Sequence, residues 1–454
     1  MSTTTRFLIF NIILTLTFRS IWTIPALSDI NRPLTPTRDA REYETLARNL
    51  ISVGKFSLDG APPYRPDALR TPLYPLFAAG VYKVFQYNRL VLILLQIIIS
   101  TIPIVLIFRL KFLELREKMI AGLLFILNFN IAFYSVQVLS DVIFMVLIFV
   151  SLVLVNLFIE KLEGWSIVIA GIFLGLATLT RPIAILLPLF ILFYVIIKKG
   201  LKKTGLKIIL FLMGYLLFIL PWLVRNFFVY RTIFFSSVFS YNIASFDAPL
   251  VLAIQRKIDV NDAAQEFWKE YDKMAAILRP ENINDSMALK TRQALSVIGR
   301  YPFTYLKIRL IGFGSTLFLP LPFREVITYV SGKTPEELDL SRRTAQNAMK
   351  YLAQGKIGNM AKIIFEERVA RLPVMAILIL LGALLYHSIL IIGCLIYLLC
   401  KKRVNSALVL YGIVIIYMLI IPGSLGYSRF RIPIEPMLII FSSIGLTRSE
   451  SSVK

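Results

Sequence analysis

The sequence predicts an all-α polytopic membrane protein of about 10–12 transmembrane helices, with an outward-facing amphipathic juxtamembrane helix in its first loop. Three observations predict it. Apolar runs near the roughly 20 residues that a helix needs to cross hydrocarbon recur along the chain. Only 17% of residues are charged and the mean hydropathy is +0.73, whereas a soluble domain of average composition carries about 25% charged residues. Finally, lysine clusters separate the runs at places that alternate in sidedness.

In chain order the runs lie at about 6–27, 89–109, 119–139, 141–159, 165–180, 183–197, 207–222, 372–399, 404–421 and 433–446. Several are short and must tilt little or sit where the bilayer thins. The first carries Arg19 near its outer end and lacks a small-residue cleavage site, so it reads as a retained anchor. Basic clusters at Arg109–Lys118, Lys198–Lys207 and Lys401–Arg403 fall inside if the N-terminus is cytoplasmic. The segments 28–88, 136–141, 181–182, 223–302 and 422–432 then face outward. Residues 303–320 are apolar, yet a crossing there would put Lys401–Arg403 outside. A re-entrant or interfacial helix fits better. Thr334-Pro335-Glu336-Glu337 is a capping box with Pro at the first helical position, opening a surface helix to about Ala353. The chain thus divides into an N-terminal transmembrane module 1–245 that includes the first outer loop 28–88. After it come an outer loop 246–302, a re-entrant segment and surface helix 303–371, and C-terminal helices 372–454.

The first outer segment has helical periodicity. Thr37 can cap a helix from Arg38 to Val53, with Ala40, Tyr43, Leu46, Ala47 and Leu50 on one face and Gly54 just beyond. Such a helix would lie apolar side down on the membrane, with Asp39 in its first turn, where exposed amides favour a carboxylate. Tyr64-Arg65-Pro66-Asp67 and Arg70-Thr71-Pro72-Leu73-Tyr74-Pro75 follow. Their prolines fix a turn before an aromatic segment re-enters the membrane.

Composition excludes several chemistries. The net charge of +23 would suggest nucleic acid on a soluble protein, but cytoplasmic loops collect Lys and Arg, so no nucleic-acid partner is expected. Cys394 and Cys400 share one apolar run and read as small hydrophobes, not a disulfide. His387 is the only histidine, which removes Ser-His-Asp triads and His-based zinc clusters. Gly171-x-x-x-Gly175 reads as close helix packing.

The arginines at outward span ends are what positive-inside does not explain. Arg181 and Arg225 end spans, and Tyr427-Ser428-Arg429-Phe430-Arg431-Ile432-Pro433 forms the last outer loop. Arginine binds phosphate bidentately and tolerates partial burial. Converging, these side chains would hold an anionic headgroup; separately, each would snorkel to ordinary lipid phosphates.

The run Asp39-x-x-x-Tyr43-x-x-Leu46-Ala47, the turn 70–75, Gly175–Pro182, Pro221-Trp222-x-x-Arg225-Asn226 and the loop 427–433 occur in one order. Together they resemble the type C glycosyltransferases, and most nearly the protein O-mannosyltransferases and lipid A aminoarabinose transferases. The resemblance covers about 6–245 and 404–446, while 246–371 matches no family motif. It implies sugar transfer, with inversion, from a polyprenyl-phosphate-linked donor to a lipid, glycan or protein acceptor at the outer face. The family's base maps onto Asp39 and its second acid onto Asp141; the basic residues holding the donor phosphate map onto Arg181, Arg225, Arg429 and Arg431. Glu42, Tyr43, Tyr64, Arg70, Tyr74 and Asn226 fall near the site as acceptor-binding or structural residues. Two departures stand out. Ala40 follows Asp39 where many members have a second acid, and the second-loop acid is Asp where Glu is common. A divalent metal through Asp39 and Asp141 is left open, with no dense oxygen-ligand motif to require one and no metal ligand assigned.

Lys-, Ile- and Phe-rich composition points to the plasma membrane of a prokaryote. The competing reading is a transporter or flippase of a lipid-linked sugar. Transporters place ionisable or broken-helix elements near the midplane and often show repeated halves, neither of which this chain displays.

Overall fold

The computed structural model describes residues 3–27, 37–161, 163–280, 282–331, 342–364, 374–400 and 404–447. Among them the chain is helical, with one isolated antiparallel bridge between Ser57 and Pro66. The N-terminal module runs α1 (Thr3–Ile21), α2 (Arg38–Ser52), α3 (Leu73–Val84), α4 (Arg89–Arg109), α5 (Leu115–Ile126), α6 (Phe129–Ser135), α7 (Asp141–Lys161), α8 (Gly164–Thr180), α9 (Pro182–Lys199) and α10 (Leu201–Tyr230). Helices α1, α4, α7, α9 and α10 are long and apolar enough to cross a membrane, as is the later Ala376–Leu399. The pair α5 and α6, bent by 49°, passes the same test together. The shorter Gly164–Thr180 and Ser406–Ile420 are apolar throughout. These helices, with Glu435–Leu446, coincide with the ten runs read from the sequence.

The core lies between α7, the most enclosed span, and the helices around it. α8 packs between α7 and α10. Its glycines explain how: a Cβ at Gly175 would lie 2.6 Å from the Tyr215 carbonyl oxygen, and one at Gly171 would collide with that of Phe211. The predicted small-residue packing face is therefore used, against α10.

After α10 come α11 (Val238–Asn242), α12 (Ala248–Arg256), α13 (Val260–Leu278) and α14 (Ile283–Arg300), of which the last three share a small apolar core built on Val251, Ala253, Phe267 and Val297. α15 (Pro302–Phe318) follows. Its Arg309 and Tyr305 meet the Asp247 carboxylate, which also accepts from Ser424 Oγ at 2.5 Å. α15 thus packs on the loop before the last helix. α16 (Phe323–Ser331), α17 (Arg342–Ala353) and α18 (Ile357–Ile364) lead to α19 (Val374–Leu399), α20 (Ser406–Ile420) and α21 (Glu435–Leu446). The capping box at 334–337 and the basic cluster Lys401–Arg403 lie outside the described residues.

One expectation is corrected. α2 has the predicted cap, with Thr37 Oγ1 accepting from the Ala40 amide at 3.3 Å. Its apolar face, however, packs on protein. Tyr43 stacks edge-on to Tyr74 of α3 at 4.8 Å and shares a hydrogen bond with Ser140 at 3.1 Å, while Ala40, Leu46 and Ala47 are buried. A half-polar helix gains more from a preformed apolar surface with matching hydroxyls than from headgroups. Glu42 and Asn49 are buried with it.

Candidate active site

Chain segments far apart in sequence meet where α2 begins, α7 begins, α8 ends and the loop before α21 turns. Asp39, in the first turn of α2, receives Arg70 Nη2 on Oδ1 at 2.5 Å and Arg429 Nη1 on Oδ2 at 2.6 Å. Asp141, the first residue of α7 and fully buried, receives Arg429 Nε on Oδ2 at 2.9 Å and Arg181 on Oδ1. Glu42, one turn along α2, is held by Arg38 at 2.6 Å and by Arg70 Nε and Nη2 at 2.8 and 2.5 Å. The result is an alternating chain of charge: Arg38, Glu42, Arg70, Asp39, Arg429, Asp141, Arg181.

Arg429 is its centre. One guanidinium spans both acids, and its remaining nitrogen, Nη2, is buried without a hydrogen-bond partner. Arg70 likewise commits Nε and Nη2 and stacks over Tyr43, with 5.2 Å from guanidinium carbon to ring centre. Desolvation raises the Asp39 carboxyl, but the charges of Arg429 and Arg70 outweigh it and hold the group well below the usual carboxylate range. Every carboxylate oxygen of Asp39 and Asp141 accepts from an arginine. A divalent cation there would have to displace guanidinium, and no group of three His, Cys, Asp or Glu gathers among the described residues.

The supports are local. Buried Tyr74 donates to Gln96 Oε1 at 2.6 Å, and Gln96 Nε2 donates to the Ser135 and Gln137 carbonyls at 3.1 and 2.7 Å. This orders the turn between α6 and α7 that carries Ser140 and Asp141. Tyr74 therefore braces the site from behind.

Two expected phosphate ligands are placed elsewhere. Arg431 is 1% exposed; it pairs with Glu435 at 2.7 Å and donates to the carbonyls of Thr316, Leu317, Leu319 and Pro320. It closes the C-terminal end of α15, whose last carbonyls lack intrahelical partners. Asn128 and Asn130 complete the shell of Glu435, and His387 sits beside it, its Nε2 at 2.8 Å from the Leu317 carbonyl. Arg225 lies over the rings of Phe56, Trp222 and Tyr230 at 5.5, 4.8 and 5.5 Å and donates to Asn226 Oδ1 at 2.8 Å. It meets no carboxylate among the described residues. Asn226 in turn donates to the Phe234 carbonyl at 2.9 Å. Tyr64 is half-buried and has no hydrogen bond to the cluster among the described residues.

The sequence reading passed over Arg38 and Ser140. Arg38 was legible as the i,i+4 partner of Glu42; Ser140 carried no such signal. A cleft of about 780 Å³ opens close by, lined by Ser236, Phe239, Ser240, Asn284, Asp285 and Arg292 among others.

Residues 69–224 match the sequence model of a family described as dolichyl-phosphate-mannose-protein mannosyltransferase, which bears out the resemblance to the type C glycosyltransferase superfamily. Among solved structures, the chain is similar to ArnT from Cupriavidus metallidurans in the apo state, at 13% identity over 89% of this chain and 81% of that one, with a TM-score of 0.40. It is also similar to ArnT from the same organism bound to undecaprenyl phosphate, at 12% identity over 98% and 78%, with a TM-score of 0.39. The Archaeoglobus fulgidus oligosaccharyltransferase, in complex with Zn and sulfate, aligns at 13% identity over 90% of this chain and 56% of its own, with a TM-score of 0.40. A comparison with curated protein sequences finds no match.

Proposed function

We propose that this chain is a membrane glycosyltransferase that moves a sugar from a polyprenyl-phosphate-linked donor to a hydroxyl of a lipid, glycan or protein at the extracytoplasmic face of a prokaryotic plasma membrane. The observation that carries the reading is Arg429, which bridges Asp39 and Asp141 and keeps a buried donor nitrogen uncommitted. Displacement at an anomeric carbon needs a base near the attacking hydroxyl and positive charge on the leaving phosphate. Here the two lie side by side. In the proposed step the acceptor oxygen bonds to the anomeric carbon as the bond from that carbon to the phosphate oxygen breaks, inverting the centre. The polyprenyl phosphate leaves with the electron pair, and the acceptor proton passes to Asp39. Arg429 and Arg70 hold the phosphate, while Asp141 and Glu42 hold those two arginines. A carboxylate between two guanidiniums is a weak base, so Asp39 orients the hydroxyl and takes its proton late.

The test compares membranes carrying the wild-type chain with membranes carrying Asp39→Asn, by mass spectrometry of glycolipids, surface glycans and proteins. The variant should insert normally and lose the modified product. Full transfer by Asp39→Asn would remove Asp39 as the base. Binding of a polyprenyl phosphate with no transfer to any acceptor would favour the flippase reading instead.

A further inference from the structure

Residues 66–71 form neither helix nor regular strand, yet they carry Arg70 into the charge cluster, between Glu42 and Asp39. Their path is set by side chains and neighbouring backbone, almost residue by residue. The Pro66 carbonyl accepts from the Tyr230 hydroxyl at 2.8 Å. The Asp67 amide donates to the Phe56 carbonyl at 2.9 Å, and the Asp67 carbonyl accepts from Arg225 at 3.4 Å. The Ala68 carbonyl accepts from the Ser237 amide at 2.9 Å and that of Leu69 from Ser236 Oγ at 2.7 Å. Thr71 Oγ1 donates to the Thr180 carbonyl at 2.9 Å, one residue from Arg181. Within the strap itself, Asp67 Oδ2 accepts from the Arg70 amide at 2.7 Å. That bond fixes the backbone from which the Arg70 side chain departs, much as an N-cap fixes a first turn.

We propose that Asp67 is a positioning residue for Arg70, and that the end of α10 with the segment after it, 225–237, is the clamp that holds the strap in place. Arg225, enclosed by rings and bonded to the strap, then serves the site by holding this backbone and not by touching phosphate. Asp67 is half-buried, and burial pushes its carboxyl up from the ordinary value even though the Arg70 and Leu69 amides oppose the shift. A polar group kept there at that cost, with the Arg70 amide as its close partner, fits a residue retained for geometry. The consequence for activity rests on the glycosyltransferase reading; the geometry does not.

Two measurements on the full-length protein in detergent separate them. The first is amide hydrogen exchange of peptides covering 66–71. Asp67→Ala should exchange faster there than wild type, while Asp67→Asn, whose side-chain oxygen can accept the same bond, should not. The second is binding of undecaprenyl phosphate, used as the probe. Asp67→Ala and Arg70→Ala should each weaken it about ten-fold, Asp67→Asn should restore it, and the double alanine variant should be no weaker than Arg70→Ala alone. Tyr230→Phe, which loosens the clamp without touching the cluster, should lie between. Unchanged exchange in Asp67→Ala would overturn the proposal, as would Asp67→Asn behaving like Asp67→Ala, since charge rather than position would then be at work. If Arg70→Ala leaves binding unchanged, the phosphate role of Arg70 fails while the exchange arm still decides the positioning.

Discussion

Replacing Arg429 with Met should destabilise the protein more than any other single change in the cluster. The side chain is 14% exposed and gives one hydrogen bond to each of two acids. Asp141, fully buried, would keep only Arg181; Asp39, whose side chain is 29% exposed, would keep only Arg70. Removing one partner of a buried pair costs about 3–5 kcal/mol, because the remaining charge stays desolvated. Solvent reaches Asp39, so most of the loss falls on Asp141, and roughly 3 kcal/mol is the expectation. One kcal/mol moves the midpoint by about 2–4 °C in domains of roughly 150–250 residues and by less in a larger chain, so a fall of about 3–6 °C follows. It can be read as the fraction of purified protein still monodisperse after heating. The decisive comparison is the double variant Arg429→Met with Asp141→Asn. Taking the charge off Asp141 removes the main penalty, so the pair should recover at least about 1 kcal/mol relative to additivity. A double variant as unstable as the sum of the singles, or an Arg429→Met protein as stable as wild type, would refute the bridging role. Arg429→Lys should recover little, because a single ammonium on a longer stem cannot reproduce the fork across two acids.

Arg431→Met should cost stability of similar size, because it leaves Glu435 unpaired and the α15 carbonyls without their donor; binding of undecaprenyl phosphate per folded molecule should not change. Arg19 is fully buried in α1, gives one bond to Ser100, lies 4.7 Å over the Phe125 ring and leaves Nε and Nη2 without hydrogen-bond partners, so Arg19→Met should raise the unfolding temperature; a fall would show that the ring contact and the one bond outweigh the desolvation. Asp39 has its folded-state carboxyl pulled below the unfolded one, so its contribution to stability is complete above about pH 4 and lost as pH falls through the folded value. The stability difference between wild type and Asp39→Asn should therefore be flat from about pH 5 to pH 8 and narrow only in stronger acid, as thermal melts across pH would show.

How much of this was legible in the sequence differs by element. The spans were, because a run of apolar residues long enough to cross hydrocarbon has few other stable solutions. α2 was legible to within a residue, since cap, periodicity and the glycine beyond it agree; only its packing surface was misjudged, because amphipathicity says that a face is buried and not against what. Arg429 and Arg431 were not separable. They sit two apart in one motif, on either side of Phe430. The turn 428–434 is a 3₁₀ helix, in which such a pair points to different sides. One side meets Asp39 and Asp141, the other the end of α15. The place of Arg225 was hidden for the complementary reason: an arginine beside a span end gives no sign in the sequence of the three rings it lies over.

The tight pairing of Asp39 raises an apparent conflict with the proposed role as a base, and the geometry offers a way to resolve it. Arg70 and Arg429 direct their positive charge to Asp39, Glu42 and Asp141. A phosphate arriving between those arginines would compete with Asp39 for the same nitrogens, and phosphate accepts bidentately from guanidinium. Glu42 and Asp141, on the outer sides of the two arginines, would keep them from following the phosphate away. Asp39 lies between the arginines, so it would be the carboxylate released, and its affinity for a proton would rise as its partners turned to the donor. In that arrangement the base would gain strength only when there is a leaving group to match it. Glu42 would then be the anchor of Arg70, from which it accepts two hydrogen bonds.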